Sequence, residues 1–198
     1  MVGPSGVGKH TLVSEAIGKY GSLFERKKSV TTRDKRSIEK GVENFTFVSK
    51  AEFRKMIDNN EFIEWQEKLG DNLYGTSYAE LKRIKDAGKI PIIEVDVQGA
   101  IALNDKALEG NYCFIYPPSF EELRKRIGNR IEDEAAFKVR IADAIKQIEL
   151  ANNSVLFTNR LVNEKLDQAI DQFFTLIEAL YFQEIRAKAR EGQESKQE

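Results

Sequence analysis

The chain has 198 residues, enough for one compact domain with a substantial hydrophobic core. Its 31 Lys plus Arg residues balance 32 Asp plus Glu residues, so the formal net charge of -1 gives no general attraction to nucleic acid or to an anionic membrane. No apolar run approaches the ~20 residues of a membrane span, and the N-terminus lacks the features of a signal peptide. Cys113 is the only cysteine. We therefore expect it to be a small buried side chain in a cytoplasmic protein.

The first stretch, GPSGVGK at residues 3–9, matches the G-x-x-x-x-G-K pattern of loops that wrap nucleotide phosphates. Its glycines allow backbone N–H groups to turn inward, its lysine supplies a charge for the outer phosphates, and the next helix points its positive end at them. The residues predicted to contact the nucleotide are Gly3, Pro4, Ser5, Gly6, Val7, Gly8, Lys9, His10 and Thr11.

His10 stands where such loops usually carry a hydroxyl that helps to hold Mg²⁺. Because an imidazole is a poor ligand for that hard cation, we expect Thr11 to substitute or water to complete the metal shell. A role for His10 as a base is the weaker alternative, since a phosphate nucleophile is already anionic.

Only Met1 and Val2 precede the loop, although a loop of this kind normally follows a buried strand. A central strand cannot be lost without exposing backbone groups of its two neighbours. We therefore expect the sequence to be shortened at its N-terminus. If the short form is the natural one, poor stability and weak activity are expected.

Further along, short apolar runs alternate with amphipathic segments. TLVSEAIGKY and AEFRKMIDNN are typical of helices, whereas KIPIIEVDV and NYCFIY are typical of strands covered on both faces. QGAIALNDKALE between the last two fits a crossover helix. This alternation favours an α/β fold with a parallel sheet flanked by helices.

Three features of the remaining chain refine this fold. Residues 32–80 are rich in short β-like pieces (NFTFV, EFIEW, NLYGTS) and predict a small inserted lobe. Ser119, with Glu122 in capping-box spacing, predicts a helix start, and apolar residues from Leu166 to Ile185 predict one long terminal helix. The polar residues 191–198 predict a disordered tail.

Polar residues with a possible role in binding lie within this lobe and just before it. In SVTTRDKR, Arg33 and Arg36 could clamp one phosphate from two sides, although such arginines are ordinarily solvated surface. Glu64 in EFIEW lies on a half-buried strand, where a carboxylate needs partners.

Together these motifs carry a resemblance to a known family. GPSGVGK, SVTTR, NNEFIEW, NLYGTS, EVDVQG and PPSFEELRKRI, in this order, closely resemble the guanylate kinases, which transfer phosphate from ATP to GMP. Other nucleoside monophosphate kinases lack EFIEW and YGTS. The resemblance implies a P-loop NTPase-type parallel sheet flanked by helices, a small mixed α/β GMP-binding lobe and a helical lid. In this single domain, 1–198, the core would comprise residues 1–31, 81–125 and 141–190, the lobe 32–80 and the lid 126–140.

The resemblance also assigns the GMP contacts. Guanine would be held by Ser29, Glu64, Thr76 and Asp96, and the GMP phosphate by Arg33, Arg36 and Tyr74. Guanine presents an N1–H and an N2 amino group side by side, two donors that one ionised carboxylate accepts. Adenine has an acceptor at N1, so a site built on such buried bonds can discriminate by ~10⁴ or more.

Phosphoryl transfer would depend on the cationic residues that match the family. The catalytic set implied is Lys9, Arg33, Arg126, Arg130 and Arg140, the last three as lid arginines that neutralise charge during transfer. The spacing from Arg130 to Arg140 is one residue shorter than is usual in the family. Asp96 resembles a Walker-B acid, and the implied metal contacts, direct or through water, are Thr11, Glu94 and Asp96.

Two positions leave alternatives open. Asn163 resembles a residue near the adenine and ribose of ATP, but it could equally cap a helix before Glu164. Phe45 stands where the family commonly has a Tyr that contacts the GMP phosphate. Loss of a hydroxyl donor to a charged oxygen costs ~1.5–3 kcal/mol, so a raised KM for GMP is expected.

The activity implied is direct in-line transfer from Mg·ATP to GMP or dGMP, within purine nucleotide metabolism. The expected partners are these small molecules, without nucleic acid or membrane, in a monomer or weak homodimer. The main alternative is a non-catalytic guanylate-kinase-like domain that binds phosphopeptides. A nucleotide-hydrolysing switch is a third reading, but no water-orienting residue is recognisable.

Overall fold

The computed structural model describes residues 1–35, 44–68, 70–129 and 133–194. Within these ranges helices and short strands alternate, as the sequence predicted. The helices are α1 (Lys9–Tyr20), α2 (Lys50–Asp58), α3 (Tyr78–Asp86), α4 (Val97–Asp105), α5 (Phe120–Gly128), α6 (Glu134–Asn152), α7 (Leu166–Leu180) and α8 (Phe182–Glu194). The strands are β1 (Phe24–Arg26), β2 (Ser29–Thr31), β3 (Phe45–Phe47), β4 (Phe62–Lys68), β5 (Asn72–Ser77), β6 (Ile90–Ile92), β7 (Cys113–Tyr116) and β8 (Asn159–Val162).

The α/β class is confirmed, but one continuous parallel sheet is not what the described residues form. Instead, β1 pairs in parallel with β6, and β7 pairs in parallel with β8. A third, four-stranded sheet has the order β3-β2-β5-β4. The parallel part of the fold is therefore divided into two small pairs of strands.

Met1 and Val2 lie between the two parallel pairs and join them at one end. Val2 is 1% exposed and forms parallel bridges to both Val95 and Phe114. Its carbonyl accepts a hydrogen bond from Ile115 N at 2.8 Å, and the Met1 carbonyl accepts one from Val95 N at 3.1 Å. The glycine-rich loop that begins at Gly3 thus follows a residue that is hydrogen-bonded on both sides.

Beyond this junction, a cleft of about 440 Å³ separates the inner edges of β6 and β7. Apolar side chains line much of it, among them Ile92, Ile93, Phe173 and Ile177. Because the two edges do not meet along the cleft, the two pairs of strands remain separate sheets. Cys113 also lines the cleft, and burial raises the pKa of its thiol to about 11, as expected for a small buried side chain.

The four-stranded sheet is a compact unit with its own core. β2 pairs in parallel with β3, whereas β5 pairs antiparallel with both β2 and β4. Helix α2, which starts with a capping box of Ser49 and Glu52, places Phe53 in a stacked contact with Phe62 at 4.5 Å between ring centroids. A Cβ on Gly75 would lie 2.6 Å from the Phe62 ring, so only glycine allows this packing.

The long terminal helix predicted from the apolar spacing is wrong, because the structure has two helices that meet at Tyr181. This residue leaves helical geometry, with φ -127 and ψ 31. Its ring packs edge-on against Phe24 at 5.0 Å, and its hydroxyl accepts a hydrogen bond from Asn111 at 3.1 Å. These contacts override the helical periodicity. Helix α8 continues to Glu194, so residues 191–194 of the predicted tail are helical, and 195–198 lie outside the described residues.

Two smaller features concern the described helices. Ser119 caps α5 by accepting a hydrogen bond from Glu122 N at 3.1 Å, as the sequence predicted. None of the described helices has the length and apolar character needed to cross a membrane.

Candidate active site

The loop at residues 3–8 adopts the backbone that its glycines predicted. Gly3, Gly6 and Gly8 have φ values of 147, 81 and 101, in the region that L side chains rarely adopt. A Cβ on Gly3 would lie 2.8 Å from the Ile115 carbonyl oxygen, and a Cβ on Gly8 would lie 2.2 Å from Asn163 Nδ2. Glycine is therefore required here by conformation and by space.

Lys9 follows the loop at the start of α1 and folds back over it. Its Nζ donates hydrogen bonds to the carbonyl oxygens of Gly3 and, at 2.9 Å, Pro4. Burial lowers the pKa of Lys9 to about 8, although Glu94 and Asp96 oppose this shift. The ammonium can exchange these two carbonyls for phosphate oxygens, which are better partners for a cation.

Asn163 is hydrogen-bonded to the backbone of the same loop. It is 5% exposed, and its Nδ2 donates to the Val7 carbonyl at 2.9 Å. The alternative of a helix cap is wrong, because the N-cap of α7 is Lys165. Asn163 therefore holds the loop through its backbone. A contact with the adenosine part of ATP stays a prediction.

Replacing Asn163 with alanine is expected to raise KM for ATP about tenfold, because the Val7 carbonyl loses its buried donor and such a loss costs about 1–3 kcal/mol. KM for GMP should not change. Steady-state kinetics with each substrate varied in turn would measure this. Asn153→Ala is the matched control, since its Nδ2 also donates to a backbone carbonyl, that of Glu149, but at an exposed site. Equal effects of the two variants on KM for ATP would contradict the bracing role.

Two of the predicted lid arginines reach this region. Arg126 Nη1 donates to the Asn163 carbonyl at 3.0 Å, and its Nε pairs with Glu122 at 3.0 Å. Arg140 Nη1 lies 3.4 Å from Ser5 Oγ, while its buried Nε has no partner among the described residues. The structure thus brings Arg126 and Arg140 beside the loop. Arg130 and Arg36 lie outside the described residues.

Arg26 connects His10 with Glu94, one of the predicted metal contacts. Its Nη2 donates to the His10 carbonyl at 3.0 Å, and Nη1 lies 3.2 Å from the His10 ring nitrogen Nδ1. Its Nε lies 3.1 Å from Glu94 Oε1. Glu94 therefore faces a guanidinium as well as the loop. No motif singled out Arg26, which stands in the basic run ERKK.

Glu64 and Thr76 form a buried polar pair in the four-stranded sheet. They are register partners on β4 and β5, and they are 7% and 0% exposed. Thr76 Oγ1 donates to Glu64 Oε1 at 2.5 Å. Burial raises the pKa of Glu64, although the Thr76 hydrogen bond and the charge of Lys27 oppose the shift. The expected burial of this carboxylate with polar partners is confirmed.

Lys27 is a residue that the sequence did not predict for this site. It is 4% exposed, and its Nζ donates to Ser29 Oγ at 2.7 Å and to Thr76 Oγ1 at 2.9 Å. Burial lowers the pKa of Lys27 to about 8, against the attraction of Glu64. Ser29, Glu64, Thr76 and Lys27 therefore form one polar cluster, which we call the base cluster.

Asp96 lies at the N-terminus of α4, next to the far end of β4. It accepts hydrogen bonds from Gly99 N and Gln66 Nε2, both at 2.9 Å, and pairs with Lys68 at 2.9 Å. Burial acts to raise the pKa of Asp96, but Lys68 and these hydrogen bonds leave it below its usual value. Glu64, Gln66 and Lys68 are spaced two apart, so strand alternation would have found this polar face.

Phe45, Arg33 and Tyr74 lie together at another part of the same sheet. The Arg33 guanidinium carbon is 4.6 Å from the centroid of the Phe45 ring. The Phe45 and Tyr74 rings meet edge-on at 6.4 Å between centroids. The three described residues predicted to bind the GMP phosphate are therefore neighbours, with Phe45 in the middle.

Replacing Phe45 with tyrosine is expected to lower KM for GMP about tenfold, because it restores a hydroxyl donor beside Arg33 for a charged oxygen, which contributes ~1.5–3 kcal/mol. Initial-rate measurements over a range of GMP concentrations would test this. Phe47→Tyr is the comparison variant, since Phe47 is also near Arg33, at 5.3 Å, but was not assigned to the phosphate. An unchanged or higher KM in Phe45→Tyr would contradict the placement of Phe45.

The three predicted metal contacts are not a preformed cage in the described part of the chain. No group of three or more His, Cys, Asp and Glu side chains there is placed to hold a metal ion. Glu94 faces Arg26, and Asp96 faces Lys68. Both carboxylates nevertheless lie close enough to Lys9 to act on its pKa.

The chain is similar to known proteins over most of its length. The family model described as guanylate kinase matches residues 1–180. The chain belongs to the guanylate kinase family. Two proteins named guanylate kinase illustrate the relationship. The one from Schizosaccharomyces pombe is 34% identical over 171 residues, covering 86% of this chain and 84% of that protein. The one from Geobacter sulfurreducens is 39% identical over 175 residues, covering 88% and 84%.

Other members of the guanylate kinase family differ in length or are known as structures. Guanylate kinase 1 of Oryza sativa is 35% identical over 176 residues, but the chain spans only 46% of that protein. The crystal structure of guanylate kinase from Anaplasma phagocytophilum superposes with a TM-score of 0.67 at 28% identity, covering 90% of this chain and 82% of that one. The resemblance inferred from the sequence motifs is confirmed.

Proposed function

We propose that the protein transfers the terminal phosphoryl group of ATP to GMP, and to dGMP, forming the nucleoside diphosphates. The observation that carries this proposal is Glu64, a carboxylate that is 7% exposed and is hydrogen-bonded to Thr76 within the base cluster. A buried carboxylate is costly unless it meets donors. One oxygen of Glu64 accepts from Thr76, and the carboxylate retains lone pairs for further donors.

Guanine supplies the donors that such a carboxylate needs. Its N1–H and N2 amino group lie side by side and can both be accepted by Glu64. Adenine presents an acceptor at N1, which would leave a buried charge unpaired. This difference supports a guanine nucleotide as the acceptor substrate, with GMP favoured over AMP by ~10⁴ or more.

The reacting phosphates would lie between the two groups of cations. Arg33 and Tyr74 form the proposed contact with the GMP phosphate, and the Phe45 ring packs between them without a donor of its own. The glycine loop and Lys9 would hold the ATP phosphates. An oxygen of the GMP phosphate attacks the γ-phosphorus in line, while the bond from that phosphorus to the bridging oxygen of ADP breaks. The nucleophile is already anionic, so no enzyme base and no covalent enzyme intermediate are needed.

Arg126 and Arg140 support the transfer step, because both lie beside the loop. Guanidinium groups there stabilise the charge that develops on the transferred phosphoryl group. Arg130 and Arg36 belong to the same proposal through the family resemblance. Enclosure of both substrates by the lobe and the lid would exclude water, which would otherwise accept the phosphoryl group.

Mg²⁺ is the metal proposed for this reaction. It usually keeps several waters and is bound by one or two carboxylates together with substrate phosphates. The proposed contacts are Thr11, Glu94 and Asp96, of which the two carboxylates act on the pKa of Lys9. Bound there, Mg²⁺ would neutralise charge on the phosphates. The carboxylates would then exchange their contacts with Arg26 and Lys68 for the metal or its waters.

The remaining parts of the proposal follow from the family resemblance. They are a P-loop NTPase-type core with a GMP lobe and a lid, a place in purine nucleotide metabolism, a cytoplasmic location, and a monomer or weak homodimer as the assembly. Size-exclusion chromatography with light scattering would test the assembly directly.

A coupled assay of ADP release, with ATP and one of GMP, dGMP, AMP, CMP or UMP, tests the proposed activity. Turnover with GMP and dGMP alone is expected. Phosphate release without any monophosphate would indicate a hydrolytic switch instead. Absence of turnover with every acceptor would favour the non-catalytic alternative. Titration with phosphorylated peptides would then measure peptide binding.

A further inference from the structure

Lys27 is a buried cation that the proposed transfer reaction does not use. It is 4% exposed and lies between β1 and β2, where its Nζ contacts the hydroxyls of Ser29 and Thr76. Thr76 in turn donates to Glu64. A lysine is rarely buried to this extent unless it is paired. The Thr76 hydroxyl oxygen thus links Lys27 to Glu64, the carboxylate proposed to bind the base.

The donor and acceptor roles within the base cluster follow from the chemistry of an ammonium group, which donates three hydrogen bonds and accepts none. The oxygens of Ser29 and Thr76 must therefore both accept from Lys27. Each hydroxyl has a single proton, and that of Thr76 is directed to Glu64 at 2.5 Å. The Ser29 proton must point away from Lys27. Since Ser29 is partly exposed whereas Lys27 is buried, a ligand can approach the Ser29 hydroxyl from the side away from Lys27.

We infer that Lys27 is a specificity-determining residue: by fixing the direction of the Ser29 hydroxyl, it makes the site require a hydrogen-bond acceptor at C6 of the purine. This inference rests on the proposed function and deepens it. The carbonyl O6 of guanine is such an acceptor. The 6-amino group of adenine is a donor and would face both the Ser29 proton and the charge of Lys27.

Two different charges would thus read adjacent groups along one edge of the base. Glu64 accepts from N1–H and the N2 amino group, and Lys27 acts through Ser29 on the substituent at C6. Their contributions can be separated with analogues. 6-Thio-GMP keeps N1–H and the N2 amino group but replaces O6 with sulfur, a weak acceptor. IMP keeps O6 and N1–H but lacks the N2 amino group.

The test compares kcat/KM for GMP, 6-thio-GMP and IMP in the wild type and in Lys27→Met. The wild type should prefer GMP over 6-thio-GMP by about tenfold, the value of one charge-assisted hydrogen bond. In Lys27→Met this preference should fall to about threefold or less, while the preference for GMP over IMP is retained. Any change in the ionisation of Glu64 affects GMP and 6-thio-GMP alike and cancels in their ratio.

Two further variants keep the test decisive. Lys82→Met removes an exposed lysine that pairs with Asp86 and should leave every ratio unchanged. Ser29→Ala retains the buried charge, so it tests the hydroxyl directly if Lys27→Met does not fold, and it should lose the same preference for GMP over 6-thio-GMP. A wild-type ratio in folded Lys27→Met or in Ser29→Ala overturns the inference. Failure of the wild type to phosphorylate GMP overturns the proposed function, and the inference with it.

Discussion

Replacing Glu64 with glutamine is expected to lower kcat/KM for GMP by roughly 10³–10⁴, because a site built on buried hydrogen bonds loses about this much when a partner is wrong. The amide would offer one acceptor and one donor to a base edge that presents two donors. Its donor would also compete with the Thr76 hydroxyl, which now donates to Glu64 at 2.5 Å. Steady-state kinetics with GMP as the varied substrate would measure the loss.

The same variant should fold normally, because glutamine keeps the volume and removes a carboxylate whose pKa burial raises. Thermal unfolding is the check. Glu67→Gln is the matched control on β4, since Glu67 is exposed and three residues from Glu64. It should retain wild-type kinetics. A folded Glu64→Gln variant with wild-type kcat/KM for GMP would refute the role of this carboxylate in selecting the base.

Replacing Lys9 with methionine is expected to lower kcat/KM for ATP by roughly 10²–10³, the cost of removing one donor from a developing charge. Met cannot donate to a phosphate oxygen, whereas the Lys9 ammonium can leave the carbonyls of Gly3 and Pro4 to do so. Initial rates at saturating GMP would measure the effect. Lys82→Met, which removes an exposed lysine, should behave as the wild type.

The pH profile gives an independent check on Lys9. Because kcat/KM reports ionisation of the free enzyme, and burial lowers the pKa of Lys9 to about 8, the wild-type value for ATP should fall as the pH rises through about 8. Lys27, whose pKa is also lowered to about 8, would instead affect the pH dependence of kcat/KM for GMP. If Lys9→Met kept the wild-type decline with ATP, the titrating group would be a different residue.

The local chemistry of the site could be predicted from short motifs, because the conformation and burial of these residues depend on their neighbours along the chain. The positive φ of Gly3, Gly6 and Gly8 follows from a loop that must turn N–H groups inward. The burial of Glu64 follows from its place between apolar residues on a strand. The family membership followed from the order of several such motifs.

Features that depend on contacts between distant segments could not be predicted in this way. Tyr181 interrupts an apolar pattern that continues through it, because its ring packs on Phe24, far away in the sequence. Lys27 stands in a basic run of a kind that is usually solvated, and only the fold of β2 against β5 brings Thr76 to it. Asn163 contacts Val7, 156 residues earlier. Single-sequence patterns contain no information on such pairs.

The position of Val2 between Val95 and Phe114 has a consequence for nucleotide capture. The glycine loop starts from this fixed point, and Asn163 holds its far end at Val7. A loop restrained at both ends has little conformational entropy left to lose on binding, and preorganisation of this kind increases affinity without adding a contact. We therefore expect ATP to meet a loop already close to its bound shape, with the Lys9 side chain as the main group that has to move.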